Sequence, residues 1–108
     1  MVGRITPSEV AKRLAADPDA LFLLDVREPD EREVAVIEPS LHIPMGEVME
    51  RLADIPRERE IVVYCHMGAR SEMIASFLEA EGYANVLNLT GGIDAWSAEV
   101  DPAVPRYS

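Results

Sequence analysis

One cysteine in 108 residues, 6% aromatic side chains and half as many basic as acidic residues are the scarcities that bound this sequence. A lone cysteine forms no intramolecular disulfide and no cysteine-based metal cluster, so Cys65 is either packing or chemistry. Ten Lys and Arg against 20 Asp and Glu give a formal charge of −10. That charge repels the phosphates of nucleic acid and the anionic face of a membrane, and sets both aside as partners. The acidity either keeps the surface solvated or offers a face to a basic protein. Uninterrupted apolar runs such as Leu21 to Leu24 and Ile61 to Cys65 are far too short to cross a bilayer. The opening residues MVGRITPSEV hold no apolar run of signal-peptide length, so a cytoplasmic chain is expected. There is no internal repeat, low-complexity tract or long block of like charge.

What is present suffices for a core. With 48% hydrophobic residues, the expectation is one domain over residues 1–108. Thr6-Pro7-Ser8-Glu9 reads as a helix start, with Thr6 as N-cap, Pro7 in the first turn and Glu9 closing a capping box, for a helix over about 7–16. Leu21 to Leu24 reads as a strand buried on both faces and stops at Asp25-Val26-Arg27-Glu28. Pro29 opens a short helix to about Val36, and Leu41-His42-Ile43 is a weak strand closed by Pro44. Val48, Met49 and Leu52 form a helical stripe ending before Pro56. Ile61 to Tyr64 is the clearest strand and runs straight into Cys65. Met73, Ile74, Phe77 and Leu78 then recur at helical spacing up to Gly82, and Val86 to Leu89 is the final strand. Strands alternating with helices predict a parallel α/β sheet with right-handed crossovers and helices on both faces. Ligands collect at the carboxyl ends of strands in such sheets, and Cys65 lies at one.

A lone cysteine is most often a small buried hydrophobe, but this one sits between a buried strand and a helix, in a tight segment containing Gly68. Successive backbone N–H groups there can turn inward as a nest facing the sulfur. A nest and a helix N-terminus both favour an anion, and the thiolate is the nucleophilic form of cysteine.

Cys65-His66-Met67-Gly68-Ala69-Arg70-Ser71 resembles the C-x-x-G-x-R-S active-site loop of the rhodanese family. Leu24-Asp25-Val26-Arg27-Glu28-Pro29, His42-Ile43-Pro44 and Gly91-Gly92-Ile93-Asp94-Ala95-Trp96 resemble further segments of that family, in the family's order and across nearly the whole chain. The resemblance implies a rhodanese-like three-layer α/β fold with a central, mostly parallel five-stranded sheet. It also implies a sulfurtransferase that moves a sulfane sulfur from thiosulfate or another donor to a thiol or cyanide. Cys65 would carry the sulfur as a persulfide, and the loop residues His66, Met67, Gly68, Ala69, Arg70 and Ser71 would cradle it. No metal or organic cofactor is implied, because the thiolate itself carries the transferred atom.

Roles within the loop stay open. Arg70 either attracts an anionic donor or turns back to brace the loop against Asp25 or a glutamate. His66 either tunes its neighbour or contacts a partner, although consecutive side chains in a tight loop diverge; His42 reads as packing or surface. Asp25 and Arg27, at the end of the second strand, are expected to support the catalytic loop. Trp96 is expected to pack the last helix on the core. Ile37-Glu38-Pro39-Ser40 departs from the Ile-Pro-Gly-Ala expected in the family. The tail Val100 to Tyr107 resembles the end of rhodanese domains fused to enzymes that activate ubiquitin-like sulfur carriers, which would make a sulfur-carrier protein, or a cysteine desulfurase on the donor side, a partner.

Two rivals remain. A cysteine phosphatase or arsenate reductase of related fold has five residues between Cys and Arg, whereas only His66 to Ala69 separate Cys65 from Arg70, a smaller cradle better matched to one sulfur than to a tetrahedral oxyanion. A non-catalytic persulfide carrier, loaded and unloaded only by protein partners, would use the same nest.

Overall fold

A computed structural model describes residues 2–108 of the protein. Its strands are β1 (Gly3–Ile5), β2 (Phe22–Asp25), β3 (Leu41–His42), β4 (Ile61–Tyr64) and β5 (Val86–Leu89). The α-helices are α1 (Pro7–Ala16), α2 (Pro29–Val34), α3 (Ala69–Ala80) and α4 (Gly92–Glu99). The five strands form one sheet in the order β1-β5-β4-β2-β3, and every neighbouring pair is parallel, so the sheet expected to be mostly parallel is wholly so.

β4 shows why this sheet needs a layer on each side. All four of its residues are fully buried, and alternate side chains leave a strand on opposite faces. Ile61 and Val63 join an apolar cluster with Ile74, Ala75 and Leu78 of α3, and Cys65 continues their parity into that cluster. Val62 and Tyr64 join the other cluster, with Val10 of α1 and Ile93 and Trp96 of α4. Each fully buried aliphatic side chain contributes about 1.5–3 kcal/mol relative to exposure. The sheet is therefore the rigid platform from which Cys65 emerges.

Helix starts follow local chemistry. Thr6 Oγ1 accepts the Glu9 N–H at 3.2 Å, and Pro7 occupies the first turn, where its missing N–H costs nothing. α2 opens with a reciprocal capping box between Glu28 and Glu31. The register Asp25↔Tyr64 ends β2 level with β4, which brings Asp25 and Cys65 to one edge of the sheet.

Three segments differ from expectation. The stripe Val48, Met49, Leu52 is no α-helix but lies among two 3₁₀ turns, Met45–Glu47 and Leu52–Asp54. Val48 is 1% exposed and Met49 73% exposed, so these positions do not share a packed face. β1 has no counterpart among the expected strands, because three residues with Arg4 at the centre carry no strand pattern. The departing segment around Pro39 holds a cis Glu38–Pro39 peptide bond; Ile37 is buried in the core and Ser40 Oγ lies 3.1 Å from the Tyr64 hydroxyl.

Candidate functional site

Cys65 leaves the end of β4, and α3 begins four residues later. Gly68, the residue before the helix, has φ +113°, a left-handed conformation that glycine adopts without a Cβ penalty. That turn folds the loop back on its own cysteine. The Gly68 N–H donates to Cys65 Sγ at 3.1 Å, the Ser71 N–H at 3.4 Å, and Ser71 Oγ lies 3.3 Å from the same sulfur. Because the Ser71 amide belongs to the first turn of α3, which has no intrahelical acceptor for it, the sulfur also sits at the positive end of that helix. Residue 65 is 1% exposed, so the cradle encloses its thiol.

The loop's carbonyls are turned away from the sulfur by α4. The Ile93 N–H donates to the Cys65 carbonyl at 2.9 Å and the Asp94 N–H to the His66 carbonyl at 3.0 Å. Such close approach of helix to loop needs Gly92, whose added Cβ would lie 2.4 Å from the His66 carbonyl oxygen. With the carbonyls held outward, the amides face inward. The Gly-Gly step before Trp96 therefore shapes the site as well as turning the chain.

Asn88, in β5 and 5% exposed, holds the loop from the sheet side. Its Nδ2 donates to the Gly68 carbonyl at 3.1 Å, and its Oδ1 lies 2.6 Å from Ser71 Oγ. The single hydroxyl proton of Ser71 therefore has two acceptors, Asn88 Oδ1 and Cys65 Sγ, and can turn to the sulfur when the sulfur is anionic. Asn88 is absent from the residues expected at the site from sequence; a polar residue at an inward position of a buried strand is the signal that marks it.

Arg70 turns back rather than outward. Its two terminal nitrogens donate to Glu31 Oε1 at 2.6 Å and Oε2 at 2.8 Å, the two-pronged geometry that Arg and a carboxylate favour. Glu31 also accepts from its own cap, the Glu28 N–H at 3.0 Å, and from the Tyr107 hydroxyl at 2.7 Å. Arg70 above all, with these other donors, holds the Glu31 carboxyl down to about 2. Burial pushes the Tyr107 phenol up to about 12, so it remains a donor at neutral pH.

Asp25 and Arg27 meet at the sheet edge as a fully buried ion pair, with Arg27 Nη2 at 2.8 Å and Nε at 2.9 Å from the carboxylate. Arg27 also donates to the Ala35 carbonyl at 2.7 Å and to the Tyr107 hydroxyl at 3.0 Å, and Arg32 donates to Asp25 at 3.1 Å. The pair touches the cysteine loop only through intermediaries: Arg27 reaches Tyr107, and Tyr107 stacks on His66 with ring centroids 4.0 Å apart and planes 13° from parallel. His66 thus faces the tail and not the sulfur, while Met67 and Ala69 are exposed. His42 Nε2 is 2.7 Å from the Arg27 carbonyl, a packing role beside this pair. Among the described residues no group of three or more His, Cys, Asp and Glu side chains could hold a metal ion, and no helix is long and apolar enough to cross a membrane.

The family model of the Rhodanese-like domain matches residues 6–99. A protein named sulfurtransferase from Allochromatium vinosum is 40% identical over 104 residues, covering 96% of each chain. The Zea mays protein named adenylyltransferase and sulfurtransferase MOCS3-2 is 37% identical over 96% of this chain, which spans 23% of that longer protein. Among solved structures, a rhodanese-related protein from Thermoplasma volcanium is 31% identical with a TM-score of 0.81, covering 97% of this chain and 99% of its own.

Proposed function

This chain belongs to the rhodanese-like domain family, and from that premise we propose that it is a sulfurtransferase that carries sulfane sulfur as a persulfide on Cys65. The observation that carries the reading is the convergence of the Gly68 and Ser71 amides and the Ser71 hydroxyl on one sulfur atom.

The Cys65 thiolate attacks the outer sulfur of a donor; a new S–S bond forms as the donor's bond to that sulfur breaks, and the electron pair leaves with the donor fragment, sulfite in the case of thiosulfate. An acceptor thiolate or cyanide then attacks the outer sulfur of the persulfide, and the pair of the breaking S–S bond returns to Cys65 as thiolate. Loss at one sulfur matches gain at the next, so no external oxidant or reductant enters. Inward amides serve both states, because the negative charge sits on Sγ before loading and on the outer sulfur afterwards. The persulfide would lie in the loop from His66 to Ser71, with Asp25 and Arg27 holding α2 and the tail around it. The acceptor in this reading is a small thiol, cyanide or a sulfur-carrier protein. That last choice is supported by the maize relative, whose name joins adenylyl transfer to sulfur transfer.

Steady-state thiocyanate formation from a sulfane donor and cyanide tests the proposal. The intact protein should turn over, and Cys65→Ser should lower the rate by about a thousandfold or more. Undiminished turnover in Cys65→Ser would defeat the assignment. A protein that accepts sulfur from a cysteine desulfurase yet turns over no small donor would be a carrier.

A further inference from the structure

A cavity of 470 Å³ opens beside the cysteine loop, lined by His66 and Arg70 of the loop, Glu28, Asp30 and Glu31 of the α2 start, and Tyr107 of the tail. Its one guanidinium is committed. Arg70 gives both terminal nitrogens to Glu31, and Glu31 is itself fixed by the Glu28 N–H and the Tyr107 hydroxyl, so four donor contacts would have to break before an incoming anion could replace that carboxylate. Nearby arginines are matched as well: Arg27 is fully buried against Asp25, which Arg32 shares, and Arg106 is paired with Asp94. Glu28 and Asp30 are exposed carboxylates on the cavity wall. The mouth therefore carries excess negative charge, on a chain whose formal charge is already −10.

Resting on the persulfide reading above, we propose that Glu31 is a specificity-determining residue: by occupying Arg70 it sets this site to take sulfane sulfur from donors whose carrying group is neutral or cationic, in preference to small dianions such as thiosulfate. A dianion approaching this mouth is repelled by Glu28, Asp30 and the Cys65 thiolate, with no unpaired Lys or Arg among the described residues that line it to offset them. A donor bearing an ammonium group is drawn to the same carboxylates.

Three donors with the same kind of reacting bond separate charge from chemistry: thiosulfate, a dianion; methanethiosulfonate, a monoanion; and 2-aminoethanethiosulfonate, a zwitterion. In each, the thiolate bonds to the outer sulfur and the electron pair leaves with sulfite or a sulfinate. At low ionic strength kcat/KM should be highest for the zwitterion and lowest for thiosulfate. Added NaCl should raise the thiosulfate value by screening and leave the zwitterion's nearly constant. Glu31→Gln should raise kcat/KM for thiosulfate about tenfold and leave that for the zwitterion unchanged or lowered by less than about twofold. A wild-type preference for thiosulfate that weakens with salt would overturn the proposal, as would a donor ratio unmoved by Glu31→Gln. If that variant does not fold, the wild-type salt dependence decides alone. Intact mass keeps the two ideas apart: sulfur loaded on Cys65 from every donor with no charge preference sinks only the role of Glu31, whereas no loading from any donor sinks the persulfide reading and this with it.

Discussion

Ser71 Oγ lies 2.6 Å from Asn88 Oδ1 and 3.3 Å from Cys65 Sγ, so a side chain on the central sheet shares one proton with the helix residue that faces the sulfur. Asn88 Nδ2 also donates to the Gly68 carbonyl at 3.1 Å, so both ends of its amide are committed to the loop.

Asn88→Ala removes both contacts, leaving the Gly68 carbonyl without its side-chain donor and the Ser71 hydroxyl with Cys65 Sγ as its remaining acceptor. The expected cost is about 1–3 kcal/mol, seen as a fall in Tm of about 5–15 °C. Sulfur transfer should fall about tenfold at a temperature where the variant is fully folded, because Gly68 and Ser71 lose their fixed aim at the sulfur. A variant with lowered Tm and an unchanged rate would make Asn88 a packing residue only.

Gly92→Ala should be among the most damaging single-methyl additions. Its φ is +62°, and the new Cβ would meet the His66 and Cys65 carbonyl oxygens at 2.4 and 2.6 Å. Backbone strain and overpacking together put the loss at about 2–4 kcal/mol, with the loop pushed off α4. Gly46→Ala is the control: nothing lies within 4 Å of its added methyl, and a change within about 0.5 kcal/mol is expected. Urea unfolding of both variants reads the difference directly.

Glu31 ties acid stability to the mouth of the site. Its folded carboxyl is held to about 2, against an ordinary value of 4.5. The stabilisation is therefore fully present above about 4.5 and lost as pH falls toward 2. Side-chain exposures of 34% for Arg70 and 16% for Glu31 call for a discount on the full linkage value, giving about 1–2 kcal/mol at pH 7. Glu31→Gln should lie below the wild type by that amount at pH 7 in urea melts, with the gap shrinking below pH 4.5. A gap that stays constant through that range would contradict the ion pair's contribution.

Much of this architecture was legible because it is written in short-range pattern. Ile61 to Tyr64 is a short apolar run of three β-branched residues and an aromatic, the pattern of a buried strand, and the C-x-x-G-x-R-S spacing after it marks the loop. Thr6, Pro7 and Glu9 announced α1 through capping chemistry that needs no tertiary context. Other features depend on contacts between distant residues. Tyr107 and Glu31 are 76 positions apart, and nothing local to either says that they meet. Arg70 had a glutamate among its possible partners from sequence, but the choice of Glu31 required α2 to be placed beside the loop. The spacing of Val48, Met49 and Leu52 is that of a helix, but spacing alone does not make a packed face, and Met49 points to solvent.

Persulfide formation on Cys65 is tested most directly by intact and fragment mass spectrometry after treatment with a sulfane donor. One added sulfur atom is expected, located on Cys65, removed by cyanide or a thiol and absent from Cys65→Ser. An unmodified Cys65 in a protein that still transfers sulfur would contradict it.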